Sequence, residues 1–179
     1  MTKEELGQLY PIVLKPYNPD WRNCFEKERD FLHNLFSLPL RIEHIGSTAI
    51  IGLSAKPTID ILMEVPSLIP ASVIINKFIS NGYIHMQEQT NHLMFVKGYT
   101  PTGLDDISYH VHMGPLELDW LWDRVFFRDY MNQQDEYRKE YEILKLALAK
   151  KYKNERELYT NSKAAFVMKV TAEAKTVFQ

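Results

Sequence analysis

The sequence predicts an α+β protein: a mixed β-sheet with helices in residues 1–114, then a helical part in residues 115–179. Three observations carry this. Short apolar, β-branched runs bounded by Gly, Pro or Asn recur between Leu40 and Met113. No Gly or Pro follows Pro115, and the apolar residues beyond it recur at helical spacing. No linker-like segment separates the halves, so the 179 residues read as one domain.

The elements follow in order. Asn18-Pro19-Asp20 starts a helix, with Asn18 as cap and Pro19 at the first helical position. Trp21, Phe25, Phe31, Leu32 and Leu35 continue it to about Phe36. Leu40 to Ile45 is a strand ending at Gly46, and residues 48–55 form a loop or short helix. Pro57 to Val65 is a strand between two prolines, and Ala71 to Ser80 is a helix stopped by Asn81-Gly82. Tyr83 to Gln87, His92 to Lys97 and Ile107 to Met113 are three further strands, the last two joined through a turn at Thr100–Gly103. Three helical stripes close the chain: Leu118, Leu121, Val125 and Phe126; then Tyr137, Tyr141, Leu144 and Leu148; then Phe166, Val170 and Ala174.

The formal net charge of -2 implies no global attraction to nucleic acid or anionic membrane. One cysteine, Cys24, excludes an intrachain disulfide and a multi-cysteine zinc site, and fits a reducing cytoplasm. Its place in a helical stripe reads as packing. The N-terminus lacks the pattern of a signal peptide, and no apolar run is long enough for a membrane span.

The chemistry concentrates in "IEHIGSTAIIGLSAKPTIDILMEV", Ile42 to Val65. A strand ending in Gly46-Ser47 and turning into a short helix aims backbone N–H groups and a hydroxyl at an anion, although Gly-Ser is also a plain turn. Alternation puts Thr58, Asp60 and Leu62 on one face of the next strand and Ile59, Ile61 and Met63 on the other. A carboxylate inside an apolar strand is costly unless it is paired, metal-bound or at an open rim. Beside a phosphate cradle, Asp60 has the character of a metal ligand for phosphoryl or nucleotidyl transfer; its alternative role is to pair with a cation or cap a turn.

His110 and His112 share a strand face, which suits a metal, a phosphate or proton transfer, and equally hydrogen bonds within a polar cleft. Of Glu43 and His44, alternation lets one line the cleft. Lys56 precedes the Asp60 strand, where it meets a substrate phosphate or stands as a loop lysine. Glu64, about 13 Å from Asp60 along the strand, reads as solvated. Arg128 beside Asp129 either reaches an anionic ligand from a covering helix or forms a structural ion pair. Asp105 and Asp106 read as loop acids, and the Tyr137/Tyr141 stripe reads as core.

These residues also carry a resemblance. The Ile42–Val65 stretch resembles the signature of the GrpB (UPF0157) family, a group placed in the nucleotidyltransferase superfamily. "HVHM" resembles its His-x-His strand, and "FFRDYMNQQDEYRKEYEILKLALAKKY" resembles its Phe-Arg-Asp-Tyr and Tyr-x-x-Leu-Lys helices. Tyr159, Lys163 and Phe166 resemble its closing Tyr-x-x-x-Lys-x-x-Phe pattern. The match runs from Tyr17 to Phe166, and it implies a nucleotidyltransferase-like fold.

The superfamily pattern is hydrophobic-Gly-[Gly/Ser], then, after an interval, Asp-hydrophobic-[Asp/Glu]-hydrophobic. Ile45-Gly46-Ser47 fits it, and twelve residues separate Ser47 from Asp60. The second acid is absent, because Leu62 stands in its place, and the later strand offers His110 and His112 where a third acid is expected. The resemblance implies transfer of a nucleotidyl group from a nucleoside triphosphate to an unknown acceptor, while the missing acid weakens a conventional two-metal site. Asp60 and His112 would serve the chemistry, and Gly46, Ser47, His44, Lys56 and Arg128 the phosphates. Mg2+ or Mn2+ would be held by Asp60, His110 and His112. The alternative it leaves open is a non-catalytic protein binding a nucleotide or other phosphorylated small molecule, and a histidine-based hydrolytic metal site ranks third.

Overall fold

The computed structural model describes residues 3–86 and 90–178. A short helix, α1 (Lys3–Leu9), precedes α2 (Asp20–Phe36). The α2 start is as expected: the Asn18 side-chain oxygen accepts the Asp20 N–H at 3.0 Å. Its end is marked by Ser37 in the left-handed region, whose N–H returns to His33 O.

The sheet has five strands: β1 (Ile42–Ile45), β2 (Thr58–Glu64), β3 (Ile84–His85), β4 (Leu93–Thr100) and β5 (Gly103–Gly114), in the spatial order β1-β2-β5-β4-β3. β2 and β5 pair in parallel and the other neighbours pair antiparallel. The expected strand at Tyr83–Gln87 is only Ile84–His85, and Gln87 lies outside the described residues. β4 and β5 are longer than their apolar runs because they close a tight hairpin through Pro101-Thr102, with Thr100 opposite Gly103. Asp105 and Asp106 consequently lie on a strand rather than in a loop.

The alternation of β2 separates two environments. Ile59, Ile61 and Met63 pack with Val111, Met113 and Phe95 under α2 and under α3 (Ala71–Ile79), around Trp21, Phe25, Leu32 and Phe78. The opposite face is covered at one end by α4 (Asp119–Gln133), where Leu62 and Ile45 meet Leu121, Trp122 and Val125. The rest of the helical part is α5 (Asp135–Lys151), α6 (Arg156–Ser162) and α7 (Ala164–Phe178). Seven residues gave α6 no readable stripe of its own. Ile50 and Leu53, from the loop between β1 and β2, insert among Phe127, Met131, Tyr141 and Val170, which ties the helices to the Gly46-Ser47 turn. Among the described residues, no helix is long and apolar enough to cross a membrane.

Candidate functional site

Asp60 sits at the centre of the sheet. Ile45 lies across from it on β1 and His110 across from it on β5. Its carboxylate Oδ1 is 3.2 Å from His110 Nδ1. Burial works against its charge. The hydrogen bond from His110 and the nearby His110, His112 and Lys56 nonetheless lower its pKa to about 2, so it is ionised.

Gly46 makes room for this carboxylate. Its backbone has φ 74° and ψ -172°, a region that is essentially glycine-only. A Cβ placed there would lie 2.3 Å from Asp60 Oδ2. The turn therefore has a structural reason for its glycine: it seats Asp60.

His112 sits one alternation along from His110, across from Leu62, and is buried. Its Nδ1 is 3.1 Å from His92 Nε2. Burial, with Arg124 adding to it, holds it well below the usual histidine range, so it is neutral. His110 Nε2 is 2.8 Å from the Tyr99 hydroxyl, and that hydroxyl accepts from Arg156 Nη2 at 2.9 Å. Ligand atoms of Asp60, His110 and His112 all lie within 4.8 Å of one another. The expected triad is thus brought together by the parallel β2–β5 pairing.

These groups open into a cleft of about 850 Å³ between the sheet and the helical part, lined by Gly46, Ser47, Lys56 and Asp60 among others. That volume suits a small-molecule ligand. Ser47 lies against the Tyr141 hydroxyl, so the buried Tyr141 is both core and cleft wall.

Most of the cleft's cations come from the helical part and were not singled out from sequence. Arg124, Lys145, Arg156, Lys163 and Lys175 line it with Lys56. Lys145 is 1% exposed and donates to Ser54 O. Burial pushes Lys145 down to about 7, aided by the charges of Lys163 and Lys56. Burial also lowers Lys163 to about 8, with Lys56 contributing, and Lys56 to about 8, with Arg156 contributing. Lys163 Nζ is 4.0 Å and Lys56 Nζ 6.0 Å from the centre of the Tyr159 ring. A chain with a net charge of -2 therefore gathers mutually repelling cations into one concave site.

Two of the anticipated phosphate ligands lie elsewhere. His44 is opposite Ile61, on the α2 face, because Ile45 and not His44 shares the Asp60 side. It stacks on Phe25 with ring centres 4.8 Å apart, and its Nε2 is 3.0 Å from Thr48 Oγ1. Thr48 in turn donates to Thr58 O at 3.0 Å. With that hydroxyl proton committed, Nε2 is the donor, and His44 braces the Gly-Ser turn from beneath. Burial keeps it neutral, at about 4.

Arg128 bonds Glu43 Oε2 and His44 O, each at 2.8 Å, and Asp129 Oδ1 at 2.7 Å. It forms an ion-pair bridge to β1 instead of lining the cleft. The cleft face of α4 is Trp120, Asp123, Arg124 and Phe127, so its arginine there is Arg124. Asp123 is held by Lys175 at 2.9 Å. Asp105 and Asp106 are exposed and outside the cleft, and Glu64 accepts the Arg41 N–H at 3.0 Å.

The GrpB protein family profile matches residues 11–173. The chain belongs to the GrpB family. The glutamate-rich protein GrpB of Alkalihalophilus pseudofirmus is 34% identical over 168 residues, covering 90% of this chain and 95% of that one. A UPF0157 protein of Pseudomonas aeruginosa is 35% identical over 167 residues, covering 91% and 67% respectively. The crystal structure of GrpB from Enterococcus faecalis superposes with a TM-score of 0.82 at 28% identity, over 93% of this chain and 100% of that chain. Cid1, a protein described with RNA terminal uridylyl transferase activity, superposes with a TM-score of 0.50 at 12% identity, over 76% of this chain and 42% of Cid1. That likeness speaks to the fold, and this GrpB chain has the mixed α+β architecture of nucleotidyltransferases.

Proposed function

We propose that this GrpB chain binds a nucleoside triphosphate in the cleft and transfers its nucleotidyl group to an acceptor. The observation that carries this reading is the convergence of Asp60 with Lys56, Lys145, Lys163, Arg124 and Arg156 on one cleft. Phosphoryl chemistry depends mainly on positioning and charge stabilisation, and that is what such a set supplies. Lys163 and Lys56 neutralise the phosphate oxygens, Ser47 offers a hydroxyl beside them, and Arg156 steadies Tyr99 and, through it, His110. The neutral His112 presents an unprotonated ring nitrogen at the cleft wall. A divalent cation bound at the Asp60 side would draw charge from the phosphates. The donors there are one carboxylate and two imidazoles, a set that matches Mn2+ better than Mg2+, which takes oxygen ligands.

A second reading, binding without transfer, is favoured by Leu62. Its side chain is 0% exposed, sealed under α4, so the position of a second metal-binding acid is closed.

Isothermal titration with a nucleoside triphosphate tests the binding common to both readings. Lys163→Ala should weaken affinity about 10- to 100-fold, the effect of losing one hydrogen bond to a charged group. Affinity should also fall between pH 7.5 and 9.5. The lysines are depressed to about 7–8 in the free protein, and a bound polyanion favours their charged forms. Binding therefore takes up protons, and it weakens as pH rises through and above those values. The ligand's own last phosphate ionisation, near 6, is complete below this window. An affinity that is flat with pH and indifferent to Lys163 would place the ligand elsewhere.

A further inference from the structure

We infer that Asp60, His110 and His112 form a mononuclear site for a divalent transition metal that discriminates against Mg2+. The inference shares the cleft of the proposed function but does not require a nucleotide to be bound.

The donor set is the first ground. One carboxylate and two imidazoles meet on adjacent parallel strands, with their ligand atoms within 4.8 Å of one another. Bonds of about 2.1 Å place neighbouring ligand atoms about 3.0–3.5 Å apart around one ion, so small side-chain rotations close the set. Imidazole nitrogen suits later transition metals such as Fe2+, Ni2+, Cu2+ and Zn2+, whereas Mg2+ takes oxygen ligands.

The scarcity of oxygen donors is the second. Leu62 is sealed in apolar contacts with Ile45, Leu121, Trp122 and Val125. Asp123, the other carboxylate lining the cleft, is paired with Lys175 at 2.9 Å. A hard-cation site with several carboxylates cannot be assembled from these residues.

The supporting hydrogen bonds are the third. A metal-binding histidine is characteristically oriented by a partner on its other nitrogen. Both histidines have one: Tyr99 Oη lies 2.8 Å from His110 Nε2, and His92 Nε2 lies 3.1 Å from His112 Nδ1. Tyr99 is itself fixed by Arg156 at 2.9 Å. This arrangement leaves His110 Nδ1, beside Asp60, and His112 Nε2 to face the ion. Three protein donors leave positions open for water or a ligand oxygen.

Titration of the 179-residue, chelator-treated chain with Co2+, read by its visible absorption and by calorimetry, tests this without any catalytic assay. The expected result is one Co2+ per chain, resistant to a thousandfold excess of Mg2+. Binding should be lost in His110→Gln and in His112→Gln, each checked for folding by circular dichroism. Tyr99→Phe keeps all three ligands and should weaken Co2+ about 10- to 100-fold. Displacement by equimolar Mg2+, full binding in both histidine variants, or no stoichiometric binding overturns the inference. A nucleoside triphosphate titrated into the Co2+-loaded and metal-free chains separates the two readings. Co2+ binding without nucleotide binding sinks only the proposed transfer, and nucleotide binding without Co2+ binding sinks only the metal site.

Discussion

Leu62→Asp is expected to destabilise the protein by roughly 4 kcal/mol instead of completing the acid pair of a two-metal site. Leu62 is 0% exposed and faces Ile45, Leu121, Trp122 and Val125. Removing its apolar side chain alone costs about 2–5 kcal/mol, and an unpaired carboxylate in that setting adds a desolvation penalty of several more. Partial relief comes if the new acid protonates or if α4 shifts, so roughly 4 kcal/mol is a conservative figure. For a chain of this length it lowers the melting temperature by about 8–16 °C. Chemical denaturation of wild type, Leu62→Ala and Leu62→Asp measures it. A stable Leu62→Asp with raised Mg2+ affinity would mean that the position opens to the cleft, and that His112, its cross-strand neighbour, can share the ion.

Gly46→Ala is expected to cost about 3 kcal/mol and to impair the site beyond its effect on folding. The backbone at Gly46 lies in a region that costs a non-glycine residue about 1–3 kcal/mol. The new methyl would lie 2.3 Å from Asp60 Oδ2 and 3.0 Å from its Cγ, so either the turn or the carboxylate must move. A double-mutant cycle separates the two costs. In an Asp60→Ala background the carboxylate clash disappears and the backbone strain remains, so Gly46→Ala should cost less there by about 1 kcal/mol or more. Strict additivity would show that Gly46 serves the turn alone.

Much of this was legible before the fold, and the exceptions have physical reasons. Alternation within Thr58–Glu64 correctly put Asp60 and Leu62 on one face, and the twofold spacing of His110 and His112 correctly put them together. What one strand cannot reveal is its neighbour. The β2–β5 pairing brings His110 to Asp60, and the β1–β2 register turns His44 away from it. Leu62 was visible as a missing acid, but its sealing under α4 depends on helix packing. Arg128 was conspicuous beside Asp129, yet a helical face repeats at three and four residues, and the cleft face of α4 runs through Arg124.

Lys145 carried the clearest unused signal. It falls four residues after Tyr141 on the buried side of α5, where a lysine is rare unless it is paired. Lys163 stood within the Tyr-x-x-x-Lys-x-x-Phe pattern, whose four-residue spacing sets it beside Tyr159, but only the packing of α6 against α5 and α7 brings that pair to the cleft.

If the cleft moves a nucleotidyl group as proposed, Asp60 is indispensable to it. The most direct test incubates the purified chain with α-labelled nucleoside triphosphates, Mg2+ or Mn2+ and a cell extract, beside Asp60→Ala. Both label transfer to an acceptor and pyrophosphate release are followed. Transfer or release by the wild type, absent in Asp60→Ala, is the predicted result. A wild type that gives neither, while its melting temperature still rises with nucleotide, would contradict transfer and leave a nucleotide-binding protein.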